Sequence, residues 1–251
     1  MSETGDKPEG ERIAKVIARA GVASRRDAER LIAEGRVSVD GDILDSPALV
    51  VGPGADIRID GERLPAAEPT RLFRFHKDRG LVTAARDPQE RPTIYSKLPA
   101  GLPRVMPIGR LDLTTEGLLL LTNDGGLKRM LELPSTGWLR RYRVRAYGKI
   151  DQASLDALAG GVTIDGVAYG PIKVEVQRSE KANSWLVVSL REGKNREVRH
   201  ALEHAGLQVN RLIRTAYGPF QLGGLKPNEL AEVPAKVLRE QLGSLYPIAR
   251  R

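Results

Sequence analysis

Cysteine is absent from the 251-residue chain, which excludes disulfides, thiol catalysis and cysteine-ligated zinc. Histidine is scarce: His76, His200 and His204 are all there is, so a histidine metal cluster is not expected. Aromatic residues make up only 4%, which argues against wide base-stacking platforms as the main recognition device. No run approaches the ~20 apolar residues of a membrane-spanning helix. The first ten residues are polar and mixed in charge, without the apolar core of a secretion signal. A cytoplasmic protein with no membrane partner is expected.

Charge of one sign is in excess. Lys and Arg number 40 against 32 Asp and Glu, a formal net charge of +8. Such a balance suits a polyanionic partner, and nucleic acid is the first candidate. The alternative is a merely soluble basic surface, so the placement of the charges must decide. With 41% hydrophobic residues the chain reads as globular, with room for one large domain or a medium one plus a small one.

Residues 1–10 are predicted to be disordered. A helix is predicted from Glu11, because Ile13, Val16, Ile17 and Ala20 form one apolar stripe while Arg12, Lys15 and Arg19 fall on another face. Ser24 announces a second helix as its cap, with Asp27 three residues on. Ala28, Leu31 and Ile32 give it a buried face, and Arg25, Arg26 and Arg30 remain outside. Short strands follow at 37–39, 43–44 and 57–59, with tight turns at Asp40-Gly41 and Asp60-Gly61. Residues 11–64 thus read as two helices on a small antiparallel sheet. Arg25 and Arg26 sit where a helix dipole prefers anions. A phosphate docking at the same amides would make that placement favourable.

A proline-bounded stretch at 65–70 reads as a linker, and residues 71–251 as a larger α+β domain with a mixed or antiparallel sheet and a C-terminal helix. Strands are expected at 72–76, 81–83, 118–121, 140–146, 172–176 and 185–190. Helices are expected at 127–133, 153–158, 195–205 and 235–242. Residues 109–123 stand out: Arg110 and Asp112 lie on a turn before four consecutive leucines, which end at the turn signal Asn123-Asp124-Gly125. An acid at the rim of a buried strand can be partly desolvated and paired. Alternatively, Asp112 caps a turn or a helix start. On the expected helix at 195–205, Arg196 and Arg199 project from one side. Arg199 lies near the buried face, where a guanidinium needs a carboxylate such as Asp112.

The first unit resembles the S-four-like RNA-binding module in Arg12-Ile13-Ala14-Lys15, Gly21-Val22-Ala23-Ser24-Arg25-Arg26, Ala28, Ile32, Gly35-Arg36-Val37 and Val39-Asp40-Gly41. The larger domain resembles the pseudouridine synthases that modify ribosomal RNA, in the branch with that N-terminal module. The resemblance rests on Gly109-Arg110-Leu111-Asp112, Thr115-Glu116-Gly117-Leu118-Leu119, Leu121-Thr122-Asn123-Asp124-Gly125, Arg141-Tyr142 with Val144, and Gly193-Lys194-Asn195-Arg196 with Val198-Arg199. It continues through Gly206, Val209, Arg211-Leu212, Arg214, Gly218-Pro219 and Leu225-Lys226-Pro227. Two departures are visible: Lys77-Asp78 where the family has Lys-Pro, and Arg140-Arg141 where it has a lysine before the tyrosine. The segment Trp138-Leu139-Arg140-Arg141 looks most like members acting on large-subunit RNA.

The resemblance implies isomerisation of a uridine to pseudouridine, with no cofactor and no metal. It implies Asp112 as nucleophile, Arg199 as its hydrogen-bonded cation, Tyr142 against the target base and Arg110 in the gap left by the everted nucleotide. Lys194, Arg196, Arg211 and Arg214 would line the RNA path, alongside Arg12, Lys15, Arg25, Arg26 and Arg30 of the small module. The partner would be ribosomal RNA or a ribosomal assembly particle, met by a monomer. A non-catalytic RNA-binding assembly factor is the competing reading, but it would not require Asp112, Tyr142 and Arg199 together. A hydrolase built on Asp112 lacks a second acid at a suitable spacing.

Overall fold

The computed structural model describes residues 10–180 and 182–243. Chain contacts divide it into two units, one ending at Thr70 and one starting at Arg71. The expected disorder at 1–10 falls, apart from Gly10, outside the described residues.

In the first unit β1 (Glu11–Arg12) leads into α1 (Ile13–Arg19) and α2 (Arg25–Ala33). There follow β2 (Val37–Val39), β3 (Asp42–Ile43), β4 (Val50–Val51), β5 (Ile57–Ile59) and β6 (Glu62–Arg63). Glu11 and Arg12, expected as helix, instead pair with Val51 and Val50. That pairing carries on into the helix, where the Ile13 amide donates to the Leu49 carbonyl at 3.0 Å. One of the orphan donors of the first turn is thereby satisfied. Ser24 caps α2 as expected, accepting from the Asp27 amide at 3.0 Å and donating to the Asp27 carboxylate at 2.5 Å. Asp40 and Gly41 both take positive φ (53° and 98°), the hairpin geometry that Asp-Gly favours. Ile13, Ala14 and Ile17 pack with Ala28, Ile32 and the strand valines into one core.

The second unit begins with β7 (Leu72–Lys77), β8 (Met106–Ile108), β9 (Thr115–Thr122), α3 (Gly125–Glu132), β10 (Arg140–Tyr147) and α4 (Gln152–Ala157). It continues with β11 (Val162–Ile164), β12 (Val167–Tyr169), β13 (Ile172–Glu180), β14 (Asn183–Leu190), α5 (Glu197–His204), β15 (Gln208–Tyr217), β16 (Phe220–Gln221), β17 (Leu230–Glu232) and α6 (Ala235–Leu242). The main sheet runs β13-β14-β10-β15-β9-β7-β17, with β8 on β9 and β16 on β15. It is mixed, because β15 and β9 run parallel while the other pairs are antiparallel.

The leucine run owes its composition to β9 being covered on both faces. Leu118 and Leu120 pack with Leu72, Leu127 and Leu238, whereas Leu119 and Leu121 pack with Phe73, Phe75 and Ile94. By contrast, β10 and β14 alternate buried and less buried residues, because a core covers one face only. The strand expected at 81–83 reduces to a single bridge between Val82 and Thr93. Among the described residues no helix is long and apolar enough to cross a membrane.

Candidate active site

A cleft of about 560 Å³ opens in the second unit where the turn before β9, the sheet strands β10 and β15, and the turn before α5 converge. Asp112, Arg110, Tyr142, Lys194, Arg196, Leu212 and Arg214 line it. The turn carrying Arg110 and Asp112 is held almost wholly through its backbone. Glu132 accepts from the Gly109 amide at 2.7 Å. Thr83 bonds Leu111 twice, donating to its carbonyl at 2.8 Å and accepting from its amide at 3.4 Å. The Asp112 carbonyl accepts from the Thr115 amide at 3.0 Å and from the Lys77 ammonium at 3.1 Å. Lys77 also donates to the carbonyls of Thr115 (2.9 Å) and Asp78 (3.1 Å). Because the backbone is so fixed, the side chains of Arg110 and Asp112 remain free to face the cleft. Among the described residues neither makes a hydrogen bond or ion pair.

Gly117 sets how closely the walls approach. Its φ is +102°, and a Cβ there would lie 2.3 Å from the Arg214 carbonyl oxygen. Only glycine lets β9 and β15 pair at this point. Tyr142 and Arg214 are direct cross-strand partners on β10 and β15, both buried, with Arg214 donating to the Leu118 carbonyl at 2.7 Å. One Arg214 nitrogen is buried without a hydrogen-bond partner among the described residues.

Residues 11–57 match the model of the S4 domain, and residues 71–204 match that of the RNA pseudouridylate synthase family. The chain is 48% identical over 229 residues to an uncharacterized RNA pseudouridine synthase of Rickettsia bellii, covering 91% of this chain and 99% of that protein. It is 42% identical over 219 residues to the ribosomal large subunit pseudouridine synthase B of Escherichia coli O157:H7 (84% and 75%). A crystal structure of a pseudouridylate synthase superposes with a TM-score of 0.65 at 26% identity, over 92% of this chain and 99% of that one. The chain belongs to the RNA pseudouridylate synthase family. Membership decides between the competing readings: this is an RNA-binding isomerase of α+β fold, a pseudouridine synthase with an N-terminal S4 domain.

Within the synthase unit, Arg199 departs from its expected geometry. Its guanidinium donates to the Val209 carbonyl at 3.0 Å and to Thr114, at 3.2 Å to the hydroxyl and 3.4 Å to the carbonyl. With both terminal nitrogens engaged, it makes no ion pair with Asp112 and acts on that carboxylate as a charge through space. Burial lowers its pKa, Arg196 adds to the lowering, and Asp112 opposes it. Arg196 does not share a helical face with Arg199. It precedes α5 with φ +50°, exposed at the cleft. Lys194 donates to the Ala168 carbonyl at 2.5 Å and pairs with Glu192 at 2.7 Å.

Arg211 is a second correction. Leu212 and Arg214 face the cleft, so strand alternation turns Arg211 to the other side of the sheet. There it grips the buried Glu116 carboxylate with contacts of 2.8, 3.0 and 3.3 Å. In the S4 unit, Arg12, Arg25 and Arg26 are exposed and in no ion pair among the described residues, whereas Lys15 pairs with Glu11 and Arg30 lies 3.5 Å from Asp27. The braces Lys77, Thr83 and Glu132 are not among the residues expected at the site from sequence. For Lys77 a signal existed, since a lysine at the end of an apolar strand is fully buried only where carbonyls receive it.

Proposed function

We propose that this enzyme converts a uridine of large-subunit ribosomal RNA to pseudouridine, as a cytoplasmic monomer, with Asp112 as nucleophile. The relative named for large-subunit modification supports the substrate. The observation that carries the site is the half-buried, unpaired Asp112 carboxylate on a backbone-braced turn inside the cleft. Isomerisation exchanges the bond from sugar C1′ to uracil N1 for one to C5. C5 loses a proton and N1 gains one, so nothing is oxidised and no co-reactant is consumed.

Each side chain then has a task. The Asp112 carboxylate stabilises or attacks the electron-poor centre that forms when the glycosidic bond breaks. Arg199 supplies positive potential and holds Thr114, two residues on. Tyr142 lies against the base and offers its hydroxyl for the ring proton. Exposed Arg110 enters the space left by the everted nucleotide. Lys194, Arg196 and Arg214 contact the RNA around it, and Arg12, Arg25, Arg26, Lys15 and Arg30 of the S4 domain take phosphates elsewhere on the same RNA. Mapping pseudouridines in ribosomal RNA from cells with and without the protein tests the substrate. One missing modification in the large subunit is the expected result. Unchanged large-subunit RNA, or a loss confined to another RNA, refutes it.

A further inference from the structure

The sheet is covered unevenly. One face of β10, β14 and β15 carries the core that includes α4 and α5. The opposite face of β10, β14 and β13 is open along its length. Arg141, Arg143 and Arg145 stand exposed on it in alternate positions of β10, with Tyr147 beyond them. None of the three arginines is in an ion pair among the described residues. Arg143 lies over the Trp185 ring at 4.2 Å. The carboxylate nearest to Arg141 on β13, Glu175, is itself matched by Lys173 at 2.6 Å. A shallow trough of about 820 Å³ crosses this face beside Arg141, Lys173, Val187 and Ser189. Leu212, Tyr142 and Arg214 show that the catalytic cleft lies on the other side.

We infer that this open face is a second RNA-binding surface of the synthase unit, taking the sugar–phosphate backbone of the substrate RNA on the row Arg141, Arg143 and Arg145. Alternate residues of a strand are about 6.7 Å apart, comparable with successive phosphates of an extended strand. Three unpaired guanidiniums on a flat face suit a polyanion. A protein partner would call for an apolar, charge-depleted centre instead. The stacked Arg143–Trp185 pair offers a ring edge and a cation to a sugar or base without deep burial. The inference rests on RNA being the substrate and adds a contact that the cleft and the S4 domain do not supply.

The test compares wild type with the triple variant Arg141→Gln/Arg143→Gln/Arg145→Gln in the full chain. One probe is protein-free total ribosomal RNA. The other is a short stem-loop cut around the modified uridine. The expected result is at least a tenfold loss of affinity for the long RNA. The slope of log K against log salt should fall by about two to three, from three lost phosphate contacts at ~0.7–0.9 each. Turnover of the short stem-loop stays at the wild-type rate, which also shows that the variant folds. Unchanged affinity and slope on long RNA overturn the inference. So does an equal loss on the short stem-loop, and so does a loss seen only with assembled ribosomal subunits, which would assign the face to a protein. Reduced affinity in the variant, together with no pseudouridine made by the wild type, would keep this surface and remove the proposed reaction. The converse pattern would keep the reaction and remove the surface.

Discussion

Lys77→Met replaces a fully buried ammonium with an apolar chain of similar length. Burial lowers the Lys77 pKa from 10.5 to about 8, opposed by Asp112, Asp78 and Glu116. A shift of that size corresponds to about 3 kcal/mol of unfavourable charge burial, which the substitution removes. Against this stand three carbonyl oxygens, of Asp78, Asp112 and Thr115, that lose their donor. Each costs about 1–3 kcal/mol when left unpaired, about 3–9 kcal/mol for the three, so a net destabilisation of about 0–6 kcal/mol is expected. Catalysis should suffer more than folding, because the released carbonyl belongs to Asp112 itself. A displacement of about 1 Å costs on the order of 100-fold in the chemical step.

The pH dependence gives Lys77 a signature of its own. Between pH 8 and 10.5 the folded wild type has released this proton while the unfolded chain still binds it. The unfolded state then binds more protons, so this group's contribution to stability rises with pH across that window and is flat below it. The Met variant lacks the rise. Urea denaturation of both proteins at pH 7 and pH 10, with single-turnover assays at pH 7, reads both effects. Wild-type turnover in the variant, or stability curves that run parallel with pH, would refute the assignment of Lys77 as the anchor of the turn that carries Asp112.

Arg211→Ala should leave Glu116 buried and unpaired, lowering stability by about 1–3 kcal/mol in denaturant titrations. Unchanged stability would remove Arg211 from its role as the brace of Glu116. Arg25→Gln/Arg26→Gln in the S4 domain should reduce the salt slope of RNA binding by about one to two without slowing conversion of bound RNA. An unchanged slope would remove these arginines from the phosphate contacts.

What could be read from the sequence followed the kind of physics involved. The buried leucine strand, the Ser24 cap, the Asp-Gly hairpins and the helix at 235–242 are local, and local periodicity and turn chemistry disclosed them. The long strand β15 escaped, because Asn210, Arg211 and Arg214 break its apolar pattern and two of those side chains are satisfied only by residues about a hundred positions earlier. The same limit applies to the site. Asp112, Tyr142 and Arg214 gather at one cleft through the motifs that named them. Lys77, Thr83 and Glu132 act on the backbone of the turn from 23–35 residues away, a relation that no spacing rule encodes. Arg199 is buried, as its position on the helix implies, but its donors turn to Thr114 and Val209, since competition between acceptors is decided by packing.

In the proposed reaction the Asp112 carboxylate performs the chemistry while other residues hold the RNA. Asp112→Asn keeps the size and the backbone bonds of the turn and removes the charge. Under single-turnover conditions with saturating enzyme and ribosomal RNA, the variant is expected to keep RNA affinity within about threefold of wild type, a difference of less than ~1 kcal/mol, and to form no pseudouridine. Pseudouridine appearing at a rate near that of the wild type would contradict it.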